Sequence, residues 1–231
     1  MNLKRFSMLI VVCAAISIPA SAVVIDLTFK NIDVYPHSNS LQILDYYNGG
    51  TSSAGTTGPN YGVSFPTNAL NICLNNLTTI CSNTSRGGQG DPNSQLGALF
   101  FLSGTNTFVN VAAGFTTGFS FNYTAINVGG TVNVWSGLNG TGSLLASLTL
   151  PTTASGPCNG YGAGFCPFYP VGVSFAGTAM SIDFGGVANQ IVFDDVTFGS
   201  ATPGVPEPGT LVMFGSGIVG LAGLLRRKFN V

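Results

Sequence analysis

The residue types that could support catalysis are few in this chain. A Ser-His-Asp hydrolase needs a base beside its nucleophile, and the single histidine is His37 in the stretch VYPHSNS. No Gly-x-Ser-x-Gly elbow surrounds a serine, and the segment FGSGIVG belongs to an apolar run near the C-terminus. The only glutamate is Glu207, which lies outside the central part of the chain. The sequence therefore predicts a protein that is not an enzyme.

A glycosidase is the alternative, because it needs two carboxyl groups that face each other across about 5–10 Å. Asp194 and Asp195 are adjacent, but neighbouring side chains on a strand point to opposite faces, so these two cannot share a substrate directly. The alternative function is therefore a secreted carbohydrate-active hydrolase that uses aspartates from separate strands.

Aspartates also suggest a cation. Calcium accepts carboxylates together with backbone carbonyls and requires no strict sequence motif. We expect a candidate calcium site at Asp26, Asp194 and Asp195, provided that the first and last strands lie side by side. Aspartates that cap strands or face solvent are the alternative, and no other cofactor is predicted.

Aromatic residues suggest sugar binding, in which a ring platform is combined with polar side chains. The candidate glycan contacts are Trp135, at the end of a predicted strand, and Tyr161 and Tyr169 in the segment PCNGYGAGFCPFYP. Core or loop packing is the alternative for the same rings.

The cysteines indicate an oxidising compartment. Two pairs, each separated by seven residues, lie in the central part of the chain: Cys73 and Cys81, and Cys158 and Cys166. Local pairing, Cys73 with Cys81 and Cys158 with Cys166, is the simplest of three connectivities. Structural disulfides are favoured over a zinc site, since zinc ligands usually include tighter pairs and more histidine.

The N-terminus predicts export. Lys4 and Arg5 precede an apolar stretch over residues 8–18, which is short for a signal anchor. This order is typical of a secretory signal peptide, here residues 1–22. The residues at the predicted cleavage site are Ala20, Ala22 and Val23.

Residues 23–200 are predicted to form one domain. Charged residues make up 6% of the chain, which contains 32 glycines and 17 phenylalanines. Within 23–200 the only basic residues are Lys30 and Arg86, against seven aspartates. A weakly acidic, aromatic-rich body excludes nucleic-acid binding, which needs basic clusters, and disorder, which goes with few aromatics.

Short alternating or β-branched runs bounded by Gly, Pro, Asn and Ser predict an all-β class. We expect an antiparallel, jelly-roll-like β-sandwich, with an up-and-down barrel as the alternative. In GFSFNYTA the rings of Phe119, Phe121 and Tyr123 alternate with polar residues, which predicts one buried face. Residues 45–97 show little periodicity and predict either a long loop region or a site. The clearest predicted strands are 23–29, 108–111, 118–125, 131–135, 144–150, 171–175, 180–184 and 191–198.

The C-terminus contains an apolar, glycine-rich run over residues 210–225, which is about 24 Å long at the helical rise. It predicts a transmembrane helix that follows a Pro-rich linker, residues 201–209, and precedes a basic cytoplasmic tail, residues 226–231. Because basic residues stay cytoplasmic, the body lies outside. The predicted membrane stop consists of Arg226, Arg227 and Lys228.

The motif Val205-Pro206-Glu207-Pro208, the apolar helix and the basic tail together resemble the PEP-CTERM sorting signal of Gram-negative bacteria. The resemblance implies recognition by exosortase, a polytopic membrane cysteine transpeptidase, and cleavage near Pro-Glu-Pro. It also implies transient anchoring in the inner membrane and delivery to the outer surface or the exopolysaccharide matrix. A plain single-span anchor is the alternative.

The segment that ends in IVFDDVTFGS resembles the last strands of lectin-like β-sandwich domains, which implies association with carbohydrate or matrix. The predicted function is thus that of an exported, non-catalytic surface or matrix protein that associates with glycans. The expected partners are an exosortase, a glycan and, before processing, the membrane.

Overall fold

The computed structural model describes residues 24–33, 40–74, 90–91, 96–153 and 164–203. The predicted signal peptide, sorting motif and transmembrane helix lie outside these ranges, as do His37, Cys81, Cys158 and Tyr161. Within the described ranges, no helix has the length and apolar character that a membrane crossing requires.

The described residues form two antiparallel sheets. The strands are β1 Ile25–Leu27, β2 Leu41–Gln42, β3 Val63–Ser64, β4 Leu70–Ile72, β5 Ala98–Phe100, β6 Asn106–Phe115, β7 Gly118–Ala125, β8 Gly130–Trp135, β9 Leu144–Leu150, β10 Tyr169–Ser174, β11 Ala179–Gly185 and β12 Ile191–Phe198. The first sheet has the order β10-β7-β12-β5-β4-β2, with β1 also paired to β12, and the second has the order β3-β6-β11-β8-β9. The predicted all-β sandwich is therefore confirmed.

A cluster of phenylalanines fills the space between the sheets. Phe121 of β7 and Phe193 of β12 come from the seven-stranded sheet, and Phe184 of β11 comes from the five-stranded sheet. The ring centroid of Phe184 lies 4.5 Å from that of Phe193 and 5.7 Å from that of Phe121. Tilted and edge-on pairs at these distances add to the burial of apolar area, so this cluster joins the two layers.

The prediction that β7 has one buried face is wrong, because all eight of its residues are buried. Its aromatic side lies in the core, as expected, but its polar side is covered too. The hydroxyl groups of Thr124 and Thr153 are hydrogen-bonded at 2.9 Å, and Asn122 Nδ2 donates to Asp195 Oδ2 at 3.1 Å.

The seven-stranded sheet carries a second apolar cluster on its outer side. Along β5, Leu99 belongs to the central core, whereas Ala98 and Phe100 pack outward. Phe165 closes this cluster from the segment that precedes β10. The cluster contains Ile72, Leu74, Ala98, Phe100, Ile126, Phe165 and Val192.

Two cysteines flank the second cluster. Cys73 follows Ile72, Cys166 follows Phe165, and both cysteines are disulfide-bonded. Their predicted partners, Cys81 and Cys158, lie outside the described residues, so the local pairing stays a prediction.

The predicted loop region, residues 45–97, contributes to the core. Tyr47 is almost completely buried, and its hydroxyl oxygen accepts a hydrogen bond from the backbone N–H of Phe29 at 2.9 Å. The segment also contains β3 and β4, which are too short to show a period in the sequence. Its described part therefore packs as part of the sandwich.

The chain that follows β12 lies against the sandwich rather than leaving it at once. The Thr117 hydroxyl donates to Gly199 O at 2.7 Å, and Gly199 N donates to Gly118 O at 3.0 Å. Ala201 lies so close to β10 that a Cβ placed on Gly172 would come within 2.0 Å of Ala201 O. The packed body thus extends at least to Ala201, one residue into the predicted linker.

Candidate functional site

The predicted calcium residues lie where the first and last strands meet. β1 pairs with β12, and Asp26 lies opposite Thr197 in that ladder. This confirms the expected neighbourhood of the two strands. Asp194 is 0% and Asp195 is 1% exposed, whereas Asp26 is half-buried.

A bulge in β12 changes how Asp194 and Asp195 are presented. The register with β7 shifts between Asp194 and Thr197, and Asp195 adopts a φ of 47°. The backbone N–H of Asp195 donates to Asp194 Oδ1 at 2.8 Å. The regular alternation expected for these two neighbours is therefore interrupted, since a bulge re-aims the side chains of a strand.

Electrostatics at this corner favour a protonated Asp26. Burial and, next, the neighbouring Asp195 raise the pKa of Asp26 to about 6, and Asp91 acts in the same direction. The Thr197 hydroxyl and Lys30 lower the pKa of Asp26 by smaller amounts. Asp26 thus titrates close to neutral pH.

No group of three or more His, Cys, Asp or Glu side chains in the described ranges is arranged to hold a metal ion, so calcium stays a prediction. The two aspartates on β12 expose almost no carboxyl surface to a sugar.

Tyr169 lines a cleft at the open edge of the sandwich. It is 44% exposed on the edge strand β10 and lies opposite Tyr123 of β7. The cleft has a volume of about 290 Å³ and includes Thr149 and Pro151 from the end of β9. The Tyr123 hydroxyl already donates to Pro151 O at 3.2 Å. The cleft offers rings and hydroxyl groups, and none of the described residues that line it has a charged or amide side chain.

Trp135 lies on a different surface from Tyr169. It ends β8 in the five-stranded sheet, where Val132 and Val134 face the core and Asn133 and Trp135 face outward. The indole Nε1 is covered and has no hydrogen-bond partner among the residues that the structure describes. The structure therefore does not bring Trp135 and Tyr169 together, and Tyr161 lies outside the described residues.

The outer side of the five-stranded sheet presents polar side chains around a central carboxyl group. Asp183 lies on β11, the middle strand, opposite Phe108 of β6 and Asn133 of β8. We call this surface the polar face. It consists of Asn106, Phe108, Asn133, Trp135, Ser147 and Asp183.

Hydrogen bonds link the polar face across three strands. The Ser147 hydroxyl donates to Asn133 Oδ1 at 2.7 Å, so the amide nitrogen of Asn133 is left for Asp183. Burial raises the pKa of Asp183, whereas hydrogen bonds from the side chains of Asn106 and Asn133 lower it. Asp183 Oδ1 is covered and has no hydrogen-bond partner within the described ranges.

A turn between β8 and β9 forms one rim of the polar face. The Ser181 hydroxyl oxygen accepts from Gly140 N at 3.0 Å and donates to Gly137 O at 2.6 Å. Asn139, in the short 3₁₀ turn Leu138–Gly140, has a φ of 54°, and its backbone N–H donates to Asn110 Oδ1 at 2.8 Å. The rim is therefore fixed on the sheet.

Sequence reasoning missed Asp183. The signal was present, because Ser181 and Asp183 alternate with Ile182 and Phe184 along one predicted strand. Its partners come from strands distant in the sequence, so the cluster itself could not be read from spacing.

Comparisons with known proteins concern the body and the tail separately. The K3 cleaved adhesin domain of Lys-gingipain from Porphyromonas gingivalis w83 is similar to this chain with a TM-score of 0.34 and 12% identity, over 76% of this chain and 98% of that chain. No curated protein matches the chain. Residues 204–228 match the PEP-CTERM protein-sorting motif, which implies export, sorting to the cell surface and processing by exosortase.

Proposed function

We propose that this chain is a non-catalytic protein of the outer surface or extracellular matrix of a Gram-negative bacterium, where it associates with glycans. The observation that carries the proposal is the PEP-CTERM match over residues 204–228. An exosortase-type transpeptidase cleaves near Pro206-Glu207-Pro208 after the body has crossed the inner membrane. The apolar run 210–225 holds the protein in that membrane until cleavage.

The charge of the body supports a neutral glycan rather than an anionic one. Aspartates outnumber basic residues between Val23 and Ser200, and the carboxyl group of Asp183 lies in the middle of a solvent-facing sheet. A negative surface repels polyanions in the absence of a bridging cation. Uncharged sugars are bound through hydroxyl groups, for which carboxylates and amides are suitable partners.

The hydrolase alternative receives less support. Asp195 raises the pKa of Asp26, so the two carboxyl groups lie near each other, but Asp195 is 1% exposed. A glycosidase needs both carboxyl groups open to the sugar ring. We therefore keep the non-catalytic assignment.

Mass spectrometry of the exported full-length chain tests delivery. We expect the mature protein to lack Arg226, Arg227 and Lys228 in cells that contain an exosortase, and to retain them in exosortase-deficient cells. Glu207→Ala should block cleavage, whereas Thr202→Ala, which lies outside the matched segment, should leave it unchanged. An intact basic tail on surface-exposed protein would overturn the processing assignment.

A panel of neutral and acidic glycans tests association. The exported protein should retain neutral polysaccharides, in calcium or in chelator. Equal, weak signals across the whole panel would contradict glycan association while leaving the delivery assignment intact.

A further inference from the structure

We propose that the polar face binds a neutral polysaccharide chain, with Asp183 and Asn133 as hydrogen-bonding partners of the sugar hydroxyls and Trp135 as an adjacent aromatic contact. The inference rests on the proposed function, since it names the site and the ligand class for glycan association. It is carried by a half-buried carboxyl group at the centre of a solvent-facing sheet.

The position of Asp183 is unfavourable for the fold. Aspartate is depleted in strands, and β11 is the central strand of its sheet. Half-burial removes water from the carboxyl group, and its hydrogen-bonding neighbours are amides rather than cations. A residue that breaks the local rules without a structural gain is expected mainly at functional sites.

The neighbours of Asp183 are held in a defined orientation. Because Ser147 donates to Asn133 Oδ1, the Asn133 amide is oriented with its nitrogen available to act as a donor. Asn106 supplies a second amide on the other side of the carboxyl group. Because Asp183 Oδ1 is covered, an approaching hydroxyl group would donate to Asp183 Oδ2, and it can accept from an amide at the same time, which few other uncharged groups do.

The ligand class follows from charge. A polyanion would meet the negative charge of Asp183, and no basic side chain belongs to the polar face. An apolar ligand would displace water from the half-buried Asp183 carboxyl group and offer no hydrogen bond in return, which is costly. A neutral, polyhydroxylated chain avoids the charge repulsion and also supplies hydrogen bonds to these groups.

The size and openness of the polar face fit a chain rather than a single small molecule. Phe108, Asp183, Asn133 and Ser147 are successive cross-strand neighbours on four strands. At about 4.8 Å between strands, this row extends over about 14 Å. The outer side of the seven-stranded sheet, in contrast, is covered by the second apolar cluster around Phe100 and Phe165.

The Tyr169 cleft is the competing site. Its described lining offers rings and threonine hydroxyls but no carboxyl or amide side chain. We therefore use a variant of this cleft as the control for variants of the polar face.

Binding of a soluble neutral glucan, a neutral mannan and alginate to the full-length chain in detergent, measured by isothermal titration calorimetry, tests the inference. We expect binding of at least one neutral polymer and none of alginate. Asp183→Asn keeps the shape of the side chain but removes the charge-assisted bond, and should weaken association about tenfold. Asp183→Ala should weaken it further.

Two matched variants make the result specific. Asp45→Asn removes one negative charge from an exposed turn, and Tyr169→Ala removes the main ring of the cleft. Both variants should bind the neutral polymer with a dissociation constant within about twofold of that of the unchanged chain. The melting temperature of Asp183→Asn should be equal to or higher than that of the unchanged chain. Neutral-glycan binding that survives at Asp183→Asn, or is lost at Tyr169→Ala, would overturn the inference but keep the proposed function. No binding to any polymer by the unchanged chain would remove glycan association itself, while tail cleavage would still report on delivery.

Discussion

The hydroxyl group of Thr197 donates a hydrogen bond to Asp26 Oδ1 at 3.3 Å, across the ladder that pairs the first strand with the last. This contact lowers the pKa of Asp26, but burial and Asp195 act more strongly in the opposite direction. The closure of the sandwich by β1 therefore places a carboxyl group where its ionised form is disfavoured.

We predict that Asp26→Asn stabilises the protein at pH 7. The folded-state pKa of Asp26 is about 6 against an ordinary 3.8, so the folded state binds this proton more tightly than the unfolded state. The stabilisation that comes from binding this proton is complete below about pH 4 and is lost as the pH rises through about 6. Urea unfolding from pH 4 to pH 7 should show a flatter profile for Asp26→Asn, with a higher midpoint at pH 7.

The control for this prediction is Asp45→Asn, which removes a carboxyl group from an exposed turn and should not raise the urea midpoint at pH 7. The groups that act on Asp26 are Asp195, Thr197, Lys30 and Asp91, and none of them is altered in either variant. A lower midpoint of Asp26→Asn at pH 7 would contradict the predicted sign.

The calcium site is tested by thermal unfolding in millimolar calcium and in chelator. If Asp26, Asp194 and Asp195 hold the ion, calcium should raise the melting temperature of the unchanged chain, because a ligand that binds only the folded state stabilises it. Asp26→Asn should respond less. Equal melting temperatures of the unchanged chain under both conditions would exclude calcium from this corner.

We predict that Phe184→Ala destabilises the body by about 3–5 kcal/mol, because it leaves a cavity between the two sheets. Phe184 is fully buried and contacts the rings of Phe121 and Phe193. The free energy of unfolding in urea measures the effect. Leu102→Ala, at a 47% exposed position, should change it by less than about 0.5 kcal/mol.

We predict that Gly172→Ala loosens the segment that follows β12. The added Cβ would come within 2.0 Å of Ala201 O and 2.7 Å of the Ser120 Cβ, so the segment must move. The expected cost is about 1–3 kcal/mol, with faster limited proteolysis after Phe198. Ser174→Ala, on the exposed end of the same strand, should show neither effect. Unchanged proteolysis of Gly172→Ala would contradict the docked arrangement.

Three strands have the predicted bounds: Gly118–Ala125, Leu144–Leu150 and Ile191–Phe198. Each is long enough to show a two-residue period and is bounded by turn residues, which are the conditions under which local sequence specifies a strand. β3 and β4 have only two and three residues, so they show no period and exist through pairing with β6 and β5. Their position depends on the tertiary fold.

The candidate sites also contain features that the sequence could predict and features that depend on the tertiary fold. The approach of Asp26 to Asp195 could be anticipated, because first and last strands commonly pair in sandwiches. The bulge at Asp195 could not be anticipated, since an aspartate with positive φ has no unique sequence signal. Asp183 was missed because its role depends on Asn106 and Asn133, which only the order of the sheet brings beside it.

The docking of Ala201 against Gly172 shortens the chain between the folded body and the predicted membrane segment. Six residues lie between Pro203, the last described residue, and Thr210, where the predicted membrane segment begins, so seven residue steps join the two. A fully extended chain of that length reaches about 25 Å at most. If residues 210–225 span the membrane as we propose, the folded body is held within about this distance of the bilayer. The sorting motif begins only two residues beyond the described chain, so cleavage at the motif, as proposed, would take place close to both the body and the membrane and would leave the body with almost no tail.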